Sequence, residues 1–158
     1  MKLGSMVASA AMALTLTVSA YAQAPTLITG ADTSEVLNAA RGYGSATLAT
    51  QSNGDPQING KINGISYQIY FQNCTENANC EDLNFYVGFL DLKPGLESIN
   101  EWNATKRFSR AYLDQDKDAC VEMDIDLVKG VTPEYLDSQI ELWKLIVEQF
   151  SDHVGYKG

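Results

Sequence analysis

Apolar and polar residues alternate along three stretches of the chain, at 65–73, 82–91 and 119–128. A period of two is typical of half-buried antiparallel strands, because successive side chains point to opposite faces of a sheet. The predicted buried faces consist of Tyr67, Ile69 and Phe71; Leu83, Phe85, Val87 and Phe89; and Val121, Met123, Ile125 and Leu127. The predicted outward positions include Ser66, Gln68, Tyr70, Glu122, Asp124 and Asp126.

Shorter strands are predicted at 45–51, 57–61 and 109–114. Gly and Pro between the first two favour a turn, and Asn63-Gly64 is typical of a two-residue hairpin turn. The chain therefore contains a series of antiparallel hairpins.

Three segments show helical features. Asp32 to Glu35 has the form of a capping box, which predicts a helix that ends at Gly42 or Gly44. A second helix is predicted over 96–108. The third begins at Thr132-Pro133, with a hydroxyl cap and proline at the first helical position. Its apolar residues recur with helical spacing at Leu136, Ile140, Trp143, Val147, Phe150 and Val154, and Tyr135, Leu142 and Ile146 widen this stripe.

The N-terminal residues have the layout of a secretory signal peptide. A basic start at Lys2 precedes an uncharged apolar run at 7–18, and small residues follow up to Ala22. We predict cleavage after Ala22, which makes 1–22 the signal peptide and 23–31 a short lead. A domain over 32–154 and a tail at 155–158 follow. The expected location is the periplasm or the exterior, with no membrane insertion after cleavage; the alternative is an uncleaved anchor.

The acidic composition restricts the possible partners. The formal net charge is −9, and removal of the leader with its one lysine makes it −10. An acidic chain repels phosphate backbones and anionic lipid, so we expect no nucleic-acid partner. Cations or a basic partner fit better, although solubility alone would also explain the charge.

The three cysteines suggest one disulfide. Cys74 and Cys80 flank a polar, turn-forming stretch between two predicted strands, so we predict that they form a bridge. A metal site is the alternative, but no histidine lies near. Cys120 is predicted to be a buried apolar residue, because the single histidine, His153, lies near the far terminus.

A binding pocket is predicted around the second helix. Asn100, Trp102 and Asn103 combine an aromatic ring with two amides, which suits a sugar, peptide or amide ligand. Arg107 and Arg110 could bind a carboxylate ligand through their planar guanidinium groups, although pairing with the acidic residues of the 119–128 strand is the simpler interpretation. The alternative is that Trp102 packs in the core while the asparagines tie the helix to the following strand.

The acidic residues after residue 113 have two possible roles. Asp114, Asp116, Asp118 and Glu122 are spaced like calcium ligands, but Ala119 and Ile125 stand where that loop needs Gly and Glu. We therefore favour a solvated hairpin tip and predict no metal site. The three outward carboxylates of the 119–128 strand form an acidic strand face.

Several motifs resemble the YbjN family, which is described as a family of bacterial sensory transduction regulators. These motifs are 99–103 (INEWN), 107–108, 111–114 (AYLD), 122–124 (EMD) and the Gly130-Val131-Thr132 entry to a helix with a tryptophan. The resemblance covers about residues 32–154. It implies a single α+β domain with an antiparallel sheet in the order α-β-β-β-α-β-β-α, similar to type III secretion chaperones. It implies no established activity, and a signal peptide departs from those cytoplasmic chaperones.

No nucleophile–base–acid set or phosphate-binding loop is visible in the sequence. We therefore expect a non-enzymatic binding or interaction protein without a cofactor, with a regulatory or chaperone-like role. Its expected partner is another protein or a second copy of itself. The alternative is a small periplasmic hydrolase or lyase that uses Asp114, Glu122 and Asp124.

Overall fold

Three helices and six strands follow one another along the chain. Their bounds are α1 (Thr33–Arg41), β1 (Ser45–Thr50), β2 (Pro56–Ile62), β3 (Ile65–Gln72), β4 (Asp82–Phe89), α2 (Leu96–Thr105), β5 (Arg110–Leu113), β6 (Ala119–Asp126) and α3 (Pro133–His153). The structure is a computed structural model, and it describes residues 26–30 and 32–158. The predicted signal peptide and its cleavage site lie outside the described residues.

The strands form one antiparallel sheet in the spatial order β1-β2-β3-β4-β6-β5. The predicted α+β class and antiparallel sheet are confirmed, but the predicted order had one strand too few. Four strands, rather than three, lie between α1 and α2, because each of the four runs between residues 45 and 91 forms a strand of its own. Asn63 and Gly64 both have positive φ and form the two-residue turn from β2 to β3.

The helices pack on one face of the sheet. The predicted inward positions of β3, β4 and β6 are buried there, and α3 buries Leu136, Ile140, Trp143, Val147 and Phe150 against them. Trp143 contacts the rings of Tyr67 and Phe85. The α3 start is as predicted, since Thr132 accepts a hydrogen bond from the Tyr135 amide. Tyr135 itself is exposed, so the buried stripe does not widen there.

Two features of the other helices differ from the predictions, namely the cap of α1 and the end of α2. The Asp32 carboxylate makes no cap bond to α1; it accepts hydrogen bonds from the Thr29 amide and hydroxyl instead. The Asp32 carboxylate was expected to cap α1, but it stabilises the turn before the helix instead. Helix α2 begins at Leu96 as predicted but ends at Thr105, before the predicted Phe108.

A short N-terminal segment, residues 26–30, is built into the fold. Ile28 pairs with Val131 before α3, and Gly30 pairs with Cys80 in the β3–β4 connection. The pairing is tight, because a Cβ on Gly30 would lie 1.8 Å from the Cys80 carbonyl oxygen. Cys80 also forms the predicted disulfide with Cys74. Among the described residues, no helix is both long enough and apolar enough to cross a membrane.

Candidate interaction face

The sheet face opposite the helices carries a polar and aromatic surface on β3, β4, β5 and β6, which we call the open face. Directly paired residues of antiparallel strands point the same way, so the register defines its members. They are Gln68, Tyr70, Asn84, Tyr86, Arg110, Tyr112, Cys120, Glu122 and Asp124. All the helices of the described region contact the sheet from the other side, and the open face is left uncovered by them.

Two tyrosines and Cys120 form one cluster on this face. The Tyr86 hydroxyl lies 3.2 Å from Cys120 Sγ, and the Tyr86 ring lies 6.1 Å from the ring of Tyr70. Gly88, directly opposite Cys120, leaves room for Tyr86, since a Cβ there would lie 2.5 Å from its hydroxyl. Cys120 is 0% exposed and is a free cysteine. Burial raises the pKa of the Cys120 thiol, so its surroundings disfavour the reactive thiolate.

Glu122 joins β5 to this cluster. Its carboxylate accepts a hydrogen bond of 2.6 Å from the Tyr112 hydroxyl and forms an ion pair with Arg110. Burial and the bond to Glu122 both raise the pKa of Tyr112, and the same carboxylate raises the pKa of Arg110. The phenol and the guanidinium are thus held in their protonated forms and in fixed positions.

The predicted acidic strand face lies on the open side of β6. Glu122 is half-buried, whereas Asp124 and Asp126 are exposed. Asp124 accepts a hydrogen bond of 2.8 Å from the side chain of the buried Asn84. Asp126 accepts one of 2.7 Å from the Val128 amide. All three carboxylates are therefore already bonded to protein groups.

The β5–β6 connection is a hairpin tip closed by its own aspartates. One Asp114 oxygen accepts from the Asp116 and Asp118 amides, at 2.9 Å and 2.8 Å. Asp118 is buried and accepts from the Asp91 amide. In the part of the chain that the structure describes, no group of three or more His, Cys, Asp or Glu side chains converges on a possible metal position.

The residues of the predicted pocket lie apart from the open face. Trp102 is 1% exposed, contacts Phe150, and donates through Nε1 to the Ser109 hydroxyl at 3.1 Å. Its ring is therefore packed in the core and has no surface for stacking on a ligand. Asn100 and Arg107 are both exposed, and the Arg107 guanidinium lies 5.2 Å from the ring of Phe108.

Asn103 has a defined structural contact. Its amide donates to the Ala111 carbonyl and its carbonyl accepts from the Ala111 amide, both at 2.9 Å. This pair of bonds ties α2 to β5, which was the alternative to the predicted pocket. His153 also contacts α2, where its Nε2 lies 2.8 Å from the Ser98 carbonyl oxygen.

Sequence reasoning did not identify the tyrosine cluster of the open face. The signal was present, because Tyr70, Tyr86 and Tyr112 each occupy an outward position on a different strand. Only the register of β3, β4, β6 and β5 shows that these positions are neighbours.

The fold and this face define a single α+β domain with helices on one side of the sheet and a tyrosine-containing surface on the other. A family model described as "YbjN: Putative bacterial sensory transduction regulator" matches residues 33–155. The chain belongs to the YbjN family, as the motifs predicted.

One similar solved structure is the type III secretion chaperone SycH of Yersinia pestis in complex with a stable fragment of YscM2. The identity is 15% and the TM-score is 0.46, over 78% of this chain and 98% of that chain. No curated protein matches the sequence.

Proposed function

We propose that this member of the YbjN family is an exported, non-enzymatic binding protein that docks a partner protein on the open face. The observation that carries the proposal is the set of Tyr70, Tyr86, Tyr112 and Arg110 on one uncovered, hydrogen-bonded sheet. Tyrosine and arginine are enriched at the centres of protein interfaces, where they provide most of the binding energy.

The side chains of this face are held in place before any partner binds. Glu122 fixes both Tyr112 and Arg110, and Asn84 is bonded to Asp124. Each rotamer-rich side chain that orders on binding costs about 0.5–1.5 kcal/mol. A face whose side chains are already ordered avoids much of this cost.

The charges indicate the chemistry of the partner. Asp124 and Asp126 are exposed along β6, and Asp82 lies opposite Asp126 on β4. The whole chain also has a formal net charge of −9. A basic segment with lysine or arginine side chains complements this surface, and its binding would weaken as salt concentration rises. A regulatory or chaperone-like role is consistent with such binding.

Export is the second part of the proposal, and it rests on residues 1–22 of the sequence. A tagged copy with its leader should be recovered from the periplasm or the medium, and N-terminal sequencing should begin at Gln23. A product that starts at Met1 and fractionates with the cytoplasm would contradict export without affecting the docking face.

Site-specific photocrosslinking tests the docking face. A photoreactive amino acid at Tyr112 is expected to crosslink a specific basic protein in cells, whereas the same group at Tyr135, which is exposed on α3, is not. Asp124→Lys should reduce the Tyr112 crosslink several-fold, and the control Asp152→Lys, on exposed α3 surface, should leave it unchanged. Equal crosslinking from Tyr112 and Tyr135, or a yield insensitive to Asp124→Lys, would contradict docking at this face.

A further inference from the structure

The two edge strands of the sheet, β5 and β1, differ in how far their outer backbone groups are protected. Strand β5 is short, and the Asn103 side chain covers its edge by bonding both backbone groups of Ala111. Strand β1 has six residues, SATLAT, with no charge and no proline. Natural proteins usually protect an edge strand with charges, proline, a bulge or a covering segment. Among the described residues, β1 pairs only with β2, so its other side lacks a neighbouring strand.

From this edge we infer that the protein forms a two-fold dimer in which β1 pairs antiparallel with β1 of a second copy. The two sheets then become one continuous sheet. This inference goes beyond the proposed function and does not depend on it, because the open face and the β1 edge are separate surfaces.

The backbone of β1 gives this pairing its register. The Arg41 Nε atom donates to the Ala46 carbonyl at 3.2 Å, so the Ala46 backbone faces away from β2. Outward groups alternate along an antiparallel edge, which places Leu48 and Thr50 in the same outward row. Leu48 is the centre of that row. A two-fold axis through this position pairs Leu48 with Leu48 and each Ala46 with Thr50 of the other copy.

Leu48 also supplies an apolar contact for this pairing. Its side chain lies on the helix side of the sheet, opposite the buried Ile58, yet it is 52% exposed. Dimerisation would bring the two leucines together across the new strand pair and remove them from water. Their burial adds favourable apolar contact to the backbone hydrogen bonds.

The charges near the edge favour a second copy over an unrelated strand. Arg41 lies near the start of β1, while Asp55 follows its end, where the Gln51 amide donates to the Asp55 carbonyl at 2.8 Å. Antiparallel pairing of two identical edges places the Arg41 end of each copy beside the Asp55 end of the other. In the dimer, the Arg41 guanidinium leaves the Ala46 carbonyl and lies near the Asp55 end of the other copy. Strand β1 carries no charge, so it adds no repulsion between the two acidic molecules.

Sedimentation equilibrium of the protein purified after export tests the inference. The wild-type protein is expected to be a dimer. Leu48→Lys should raise its dissociation constant about 100-fold or more, since two ammonium groups would face each other in place of two leucines. The matched control is Leu90→Lys, because Leu90 is 82% exposed and lies after β4, away from the β1 edge; it should leave the dimer unchanged.

A second experiment reads the register directly. Paired residues of a hydrogen-bonded antiparallel pair have Cα atoms about 5.5 Å apart, within the range that a disulfide spans. Leu48→Cys should therefore give a covalent dimer in air, and Leu90→Cys should not. Circular dichroism of each variant confirms that it is folded before its mass is interpreted.

Two results would overturn the inference. One is a wild-type chain that is monomeric up to about 100 µM, which includes the case in which β1 pairs only with a strand of a different protein. The other is a dimer that neither Leu48→Lys weakens nor Leu48→Cys crosslinks. Neither result bears on the open face, whose crosslinking is measured at Tyr112.

Discussion

At the scale of single residues, Tyr67 and Trp143 each bury a polar atom that has no hydrogen-bond partner among the described residues, and Tyr67 is the one whose polar atom can be removed alone. It is 1% exposed, and its hydroxyl has no hydrogen-bond partner among the described residues. The ring lies over Gly60 of the neighbouring strand, where a Cβ would come within 2.2 Å of Tyr67 Cζ. Burial raises the pKa of Tyr67 to about 12. The core therefore contains a buried hydroxyl that lowers the free energy of unfolding, because no hydrogen bond replaces the ones it would make to water.

We expect Tyr67→Phe to leave the free energy of unfolding unchanged at neutral pH or to raise it by about 1 kcal/mol, because it removes an unpaired buried hydroxyl. Alkaline pH should widen the difference. The unfolded Tyr67 loses its proton near pH 10 while the folded one keeps it to about 12, so this residue lowers stability progressively over that window. Urea titrations at several pH values measure the effect.

The matched control for this prediction is Tyr135→Phe, which removes an exposed hydroxyl on α3. It should change stability little at neutral pH. If Tyr67→Phe were destabilising by more than about 1 kcal/mol, the hydroxyl would have a partner that the structure does not show.

At the scale of elements, the Asn103 side chain makes the hydrogen bonds at the edge of β5 that a neighbouring strand would otherwise make. Its side chain presents one donor and one acceptor to Ala111, which is the pattern of a backbone amide pair. Helix α2 is thereby connected to the edge of the sheet, and the edge of β5 is closed there.

Asn103→Ala is expected to lower the free energy of unfolding by about 1–3 kcal/mol, through the loss of two hydrogen bonds. Chemical denaturation measures the loss. The control is Asn100→Ala, since Asn100 is exposed on the same helix. Equal effects of the two substitutions would show that helix composition, rather than the bonds to Ala111, decides stability here.

The strands were the most predictable elements. Alternation of apolar residues encodes burial directly, so the inward residues of β3, β4 and β6 were assigned correctly. Contacts between elements were less predictable. Nothing local shows that Asp32 bonds Thr29 instead of capping α1, or that the core accommodates Trp102 beneath Phe150. The open face depends on strand register, which a period-two pattern does not specify.

At the scale of the whole molecule, residues 26–30 join two distant parts of the fold. Ile28 pairs at the entry to α3, and Gly30 pairs in the disulfide-closed β3–β4 connection.

A dimer through β1 would place the open faces of both copies on the same side of one continuous sheet, because the two β1 strands pair within the plane of that sheet. A partner with two binding segments would then bind with avidity.

Gly30→Ala should detach this segment, because its Cβ would lie 1.8 Å from the Cys80 carbonyl oxygen. We expect a loss of about 1–3 kcal/mol in unfolding free energy and faster proteolysis within residues 26–30. Gly95→Ala is the control, since a Cβ there meets nothing within 4 Å. Protease resistance equal to that of the wild type would mean that the backbone adjusts without releasing the segment.

The pairing of Ile28 with Val131 also sets an order of events in time. The N-terminal segment leaves the ribosome, or a translocation channel, long before its partner does. Contacts between residues so distant in sequence form slowly, because the chain between them must first be organised. Gly30 can pair with Cys80 once the β3–β4 connection has formed, but Ile28 stays unpaired and open to chaperones and proteases until Val131 is within reach.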